Sequence, residues 1–347
     1  MILLYLAFVV LFFIPLPVFF RAGRKGFDQY LSRDATLPIK GMFVVLVFFR
    51  HFHQYITLSN SLFDRMFEFV DNYSGQLIVT VFFFYSGFGI YESIKRKGSS
   101  YLSDFPRKRL LPTWINFALC IVLFLIYDLL IGCELDAVSV ILAFFGWTSI
   151  GNSNWFMFAT FLLYLLVMVS FISFDDTKEQ RCVRRLVLFS FMTLASMVVL
   201  YMTKPAYWYN TMLCFPLGMW FSFYKDRIDG LLEKHYGLVL AGTLLVLVIT
   251  YLLNSKLNKL FYCVYAPAFA LLVTVITVRI RGRSVVLGFL GKHVFSIYLL
   301  QRIPMGMFQN LIGNKYIYFI VTFVITILIS VAFDYATKNI KAVLCKR

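Results

Sequence analysis

Residues 38–53 read Pro38-Ile39-Lys40-Gly41-Met42-Phe43-Val44-Val45-Leu46-Val47-Phe48-Phe49-Arg50-His51-Phe52-His53. The apolar run of which they are part, 38–57, has the length needed to cross a hydrocarbon core about 30 Å thick, for which about 20 mostly apolar residues suffice. Working outward, ten further runs meet the same standard: 2–20, 75–91, 113–132, 155–173, 186–203, 207–223, 237–253, 260–279, 284–301 and 316–336. A shorter run, 137–147, is followed by the polar string Gly151-Asn152-Ser153-Asn154 and reads as a re-entrant or interfacial piece. The expected fold is therefore all-α: a polytopic transmembrane bundle of about eleven spans.

Composition leads to the same class. The 347-residue chain is 61% hydrophobic and 14% charged, against about 25% charged residues in soluble domains. Phe alone supplies 40 residues. The net charge of +16 does not indicate nucleic acid, because the basic residues form no soluble basic face; they sit in short loops between apolar runs. With eleven spans and an external N-terminus, 26 of the 33 Lys and Arg residues fall on the cytoplasmic side and 6 outside, leaving Arg50 within a span. That is the asymmetry of the positive-inside rule. Counting 137–147 as a full span would invert every later loop and destroy it. The C-terminus is thus expected inside. The first run lacks a preceding basic stretch and an AxA-like cleavage site, so it reads as a retained helix rather than a signal peptide.

Ionisable groups inside spans are costly, and by default they face a cavity or a partner. His51 lies eleven residues from Lys40, about 16 Å along a helix and close to three whole turns, so a cytoplasmic cation and a midplane imidazole share one face. This is either a structural polar pair or a reactive imidazole with a guiding cation. The added polar load of Arg50 and His53 favours the second reading. Arg50 and His53 point about 100° and 200° away from His51 and suit packing or partner roles. Ser86, Gly87 and Gly89 give the next span a small surface for close helix approach. The following loop carries two basic triplets, Lys95-Arg96-Lys97 and Arg107-Lys108-Arg109, the second closed by Pro112. They serve either to orient the chain or to hold a phosphate-bearing ligand at the membrane surface.

Other signals are thinner. Trp155 and Phe156 suit an interfacial anchor, Asp128 and Asp334 lie near the ends of their spans, and His235 and His293 read as solvated and interfacial. The six Cys show no CxxC or metal-type spacing and read as buried thiols. No HxxxH, HExxH, P-loop or GxSxG motif is present, so no metal is expected.

Taken in order, these pieces resemble the acyltransferase type 3 family of bacterial membrane O-acyltransferases. Lys40 and His51 match its Arg/Lys, ten residues, His motif. Phe82-Phe83-Phe84-Tyr85-Ser86-Gly87-Phe88 is similar to its FF-x-x-SG-[FY] helix, and Phe105 to Trp114 to its basic stretch closed by Pro and an aromatic. Trp155-Phe156 resembles its WF pair, and Leu290 to Leu300 its LG-x-x-S-x-x-[IL]YLL segment. Pro106 and Gln301 stand where family members commonly have Arg and His.

The resemblance implies a domain over 38–347, with 1–37 an added first helix and cytoplasmic loop. It implies a bacterial cytoplasmic-membrane enzyme that moves an acyl group, acetyl in the first instance, from cytoplasmic acyl-CoA to a hydroxyl of a surface or lipid-linked glycan. No cofactor is bound; acyl-CoA is a co-substrate. His51 would be the base, with Lys40, Arg107, Lys108, Arg109 and Ser86 binding the donor. The alternative is a polytopic transporter or exporter of a glycan or small solute through the same cavity. Against it stand the absence of internal repeats and of mid-span carboxylates. The sequence does not speak to the oligomeric state.

Overall fold

The computed structural model describes residues 1–13, 29–171, 179–280 and 284–344, and among them every regular element is helical. The first half of the chain supplies α1 (Ile2–Phe13), α2 (Arg33–Phe52), α3 (Leu62–Ser74), α4 (Leu77–Lys97), α5 (Ser99–Phe105), α6 (Leu111–Leu130), α7 (Ala137–Ala143) and α8 (Trp155–Ser170). The second half supplies α9 (Glu179–Thr203), α10 (Cys214–Phe223), α11 (Lys225–Lys256), α12 (Tyr262–Arg279), α13 (Val285–Lys292), α14 (Val294–Leu300), α15 (Arg302–Phe308) and α16 (Lys315–Leu344).

Among the described residues, seven helical stretches are long and apolar enough to cross a membrane, and three shorter apolar helices accompany them at Trp155–Ser170, Cys214–Phe223 and Val294–Phe308. The chain is an integral membrane helical bundle. The run expected at 2–20 is helical to Phe13, and the remainder lies outside the described residues.

Four features differ from the sequence reading. The segment expected as an external loop after α2 contains α3, which buries Asp64, Phe67 and Asp71 and exposes Leu62, Phe63, Met66, Phe69 and Tyr73. This split marks an amphipathic helix, whose 3.6-residue period is invisible to a search for continuous apolar runs. The basic loop after α4 is itself helical: α5 continues through Pro106–Leu110 into α6 by a single π turn. Pro106 has no N–H and its ring crowds the preceding turn, a defect that the wider turn absorbs. The run 207–223 holds only a ten-residue helix, and 284–301 is broken after Lys292 into short helices. Such breaks are tolerated where backbone is buried in protein or borders a cavity. Finally, Cys133 is exposed, although Cys120, Cys182 and Cys214 are buried thiols as expected.

Two glycine crossings set the scaffold. A Cβ on Gly41 would lie 1.9 Å from the Leu287 carbonyl oxygen, and one on Gly291 would lie 2.0 Å from that of Leu37, so α2 and α13 touch backbone to backbone. The pair α4 and α10 repeats the arrangement: Gly87 meets Phe215 and Gly218 meets Phe84, both at 2.1 Å. In a lipid solvent, packing of this kind replaces the hydrophobic effect as the force between helices. Gly89, expected to join this surface, has nothing within 4 Å of its added Cβ.

Aromatic packing then fixes the rotation of α2. Phe49 stacks on Phe319 of α16 with centroids 4.4 Å apart, and Phe48 meets Phe323 edge-on at 5.0 Å. Each such pair adds about 0.5–1.5 kcal/mol beyond burial. Phe49 and His51 point about 200° apart on a helix, so anchoring the first on α16 turns the second toward the opposite side.

Candidate active site

His51 is buried, and its Nε2 lies 3.2 Å from Ser153 Oγ. Ser153 belongs to the polar string between α7 and α8. Its position follows from the local fold: Asn154 Nδ2 donates to the Gly146 carbonyl at 2.9 Å, and Trp114 Nε1 donates to the Phe144 carbonyl at 3.1 Å. Trp114 lies in the first turn of α6, whereas the chain leaves α6 at Leu130. Residues 131–144 therefore fold back along α6, by about 24 Å if measured over sixteen helical residues. That return carries Asn152, Ser153 and Asn154, all buried, to the level of the imidazole.

Arg302, at the start of α15, donates from Nε to Ser153 Oγ at 3.0 Å and from its terminal nitrogen to Gln54 Oε1 at 2.7 Å. A guanidinium can only donate, so the Ser153 oxygen accepts there, and its own proton has His51 Nε2 as its partner. This network places the ring proton on Nδ1, an assignment drawn from hydrogen bonding. Beside Nδ1 lies the side chain of the fully buried Gln301. Tyr298 closes the pocket, with its ring centroid 6.1 Å from that of His51.

Toward the other end of α2 lies a separate set of cations. Lys40 Nζ stands 5.7 Å from the centre of the Tyr85 ring and within electrostatic reach of Arg109 and Arg33. Arg109 is solvent-accessible and lies beside Tyr101 and Tyr164. Ser86 Oγ lies 3.3 Å from the Tyr164 hydroxyl. The sequence-predicted residues Lys40, Arg109 and Ser86 thus converge around Tyr85 and Tyr164. The hydroxyls of Tyr85 and Tyr101 are buried with no hydrogen-bond partner.

The basic triplet does not act as one unit. Residues two apart on a helix point to roughly opposite sides, so Arg107 and Arg109 do not face the same neighbours. Arg107 instead borders an apolar groove of about 600 Å³ between α6 and α8, with Trp114, Phe158 and Leu162 along its wall. Lys108 is largely exposed and pairs with Asp104 at 2.6 Å. Arg107 and Lys108 therefore stand apart from the cluster around Tyr85 and Tyr164.

Arg50 and His53 have structural partners, as their helical phase suggested. Both reach the buried Asp71 of α3 at 2.6 Å. Asp334 and His293, read as unrelated interfacial residues, instead pair at 2.6 Å, and Asp334 also accepts from Ser296. Among the described residues no group of three His, Cys, Asp or Glu side chains could hold a metal.

The model of a family described as an acyltransferase domain matches residues 39–335. The chain belongs to the acyltransferase type 3 family. The matched residues include both sites above, from Lys40 to Arg302, apart from Arg33. No curated protein and no solved structure matches the chain. Ser153, Arg302 and Gln54 were not singled out from the sequence. The available signal was a polar string interrupting an apolar stretch just before Trp155-Phe156, and it was read only as a boundary.

Proposed function

We propose that this membrane acyltransferase moves an acyl group, acetyl in the simplest case, from cytoplasmic acyl-CoA to a hydroxyl on a cell-surface or lipid-linked glycan. The observation that carries this reading is the pairing of a cation cluster at one end of α2 with a buried imidazole at the other. Arg109 and Arg33 both lie within electrostatic reach of Lys40, and neither Lys40 nor Arg109 has a carboxylate partner among the described residues. Like charges gathered in this way call for an anion, and the phosphates of CoA have that chemistry. The distance of about 16 Å from Lys40 to His51 along α2 suits the thin pantetheine arm. At its end the thioester meets His51, which is placed to take a proton from an incoming hydroxyl.

In this reading the chain has eleven spans, the N-terminus lies outside and the C-terminus in the cytoplasm of a bacterial inner membrane. The 26-to-6 division of basic residues supports that orientation. The donor site is then Lys40, Arg109 and Ser86.

Purified protein in lipid nanodiscs, given acetyl-CoA and a glycan extract, is expected to release CoA thiol over many turnovers only when both are present, and to lose that turnover in His51→Ala. Equal thiol release from wild type and His51→Ala would remove the catalytic assignment.

A further inference from the structure

The acyltransferase reading leaves open whether the acyl group passes straight to the acceptor. We infer that Ser153 is the residue that first receives it, with His51 as its base and Arg302 as the cation that supports its oxygen. The inference rests on the function proposed above and adds a covalent intermediate to it.

Three observations support it. First, Ser153 Oγ and His51 Nε2 are 3.2 Å apart, and both side chains are buried. A hydroxyl and an imidazole within this reach form the unit by which a weak nucleophile is activated. Second, Arg302 Nε donates to the same oxygen at 3.0 Å. This leaves the hydroxyl proton no partner but the imidazole, and it places positive charge where alkoxide character would develop. Third, Arg302 binds only neutral oxygens, those of Ser153 and Gln54. The other cation near the imidazole, Arg50, is by contrast neutralised by Asp71. A purely structural serine would not require a cation held in reserve beside it.

The step balances as follows. His51 Nε2 takes the Ser153 proton while Oγ attacks the carbonyl carbon of the acyl thioester. The carbon–sulfur bond breaks, the sulfur leaves with the proton from the imidazolium, and CoA thiol and an acyl ester on Ser153 result. In the second half, the acceptor hydroxyl gives its proton to His51 and attacks the ester carbonyl. Oγ leaves and takes that proton back, so enzyme and imidazole return unchanged.

The test uses the purified full chain incubated with radiolabelled acetyl-CoA in the absence of acceptor, followed by peptide mass mapping. The inference expects one acetyl group on the peptide containing Ser153 in the wild type, and none in His51→Ala. Ser153→Ala should lose both the adduct and about 100-fold or more of glycan transfer. Ser153→Cys, which keeps size and nucleophilicity, should instead carry an acetyl group that neutral hydroxylamine releases, a signature that a merely structural residue could not produce. Glycan transfer by folded Ser153→Ala at the wild-type rate, or an adduct mapped to His51, would overturn the inference and leave the acyltransferase reading standing. A wild type that acylates neither itself nor any glycan would overturn both.

Discussion

Lys40 and Arg50 are cations on one helix, ten residues apart, and the fold treats them in opposite ways. Arg50 reaches the buried carboxylate of Asp71 at 2.6 Å and shares it with His53. Lys40 has an aromatic ring and other cations for company, and no acid among the described residues. A charge that serves only the fold is neutralised within the fold, because an unpaired buried ion costs several kcal/mol. A charge left without a counterion among protein groups has that cost offset when an anion arrives from outside. The comparison separates structure from function on one helix without reference to any motif.

The largest effect expected on this comparison comes from removing its common support. Gly41→Leu drives a side chain into the Leu287 carbonyl, 1.9 Å from where its Cβ must sit. The backbone of α13 cannot yield as a flexible side chain would, so little folded protein should survive detergent size-exclusion. Gly89→Ala, which meets nothing within 4 Å, is the matched control and should elute as wild type.

The next effect tests the comparison itself. Arg50→Ala leaves the buried Asp71 with His53 alone. A fully buried pair would lose about 3–5 kcal/mol, but Arg50 is 35% exposed, so a loss of about 1–3 kcal/mol is expected. It should appear as a lowered unfolding temperature with an unchanged KM for acyl-CoA. Lys40→Ala should do the reverse, raising that KM about tenfold, as loss of one charge-assisted contact would, with no fall in unfolding temperature. If the two variants behave alike, the division between structural and functional charge is wrong. Lys108→Ala should have the smallest effect. Its pairing with Asp104 is exposed, and such pairs contribute about 0–1 kcal/mol, so both readouts should stay at wild-type values.

The parts of this account legible in the sequence were those written in local periodicity. Continuous apolar runs located most of the helices. The eleven-residue interval placed Lys40 and His51 on one face, and a shift of one or two positions turned Arg50 and His53 away from it. What the sequence withheld depends on contacts distant along the chain. Asp71 sits on an amphipathic helix that a search for spans passes over. Ser153 reaches His51, 102 residues away, only because the segment after α6 folds back. Arg107 and Arg109 form one basic triplet in sequence, but the segment is helical, and two-residue spacing on a helix sends them to different sides.

The most direct measurement of the central claim is the acyl content of surface glycans, read by mass spectrometry, in cells producing wild type or His51→Ala at equal membrane levels. The account predicts acyl mass increments in the first and none above background in the second. Identical increments in both would contradict it.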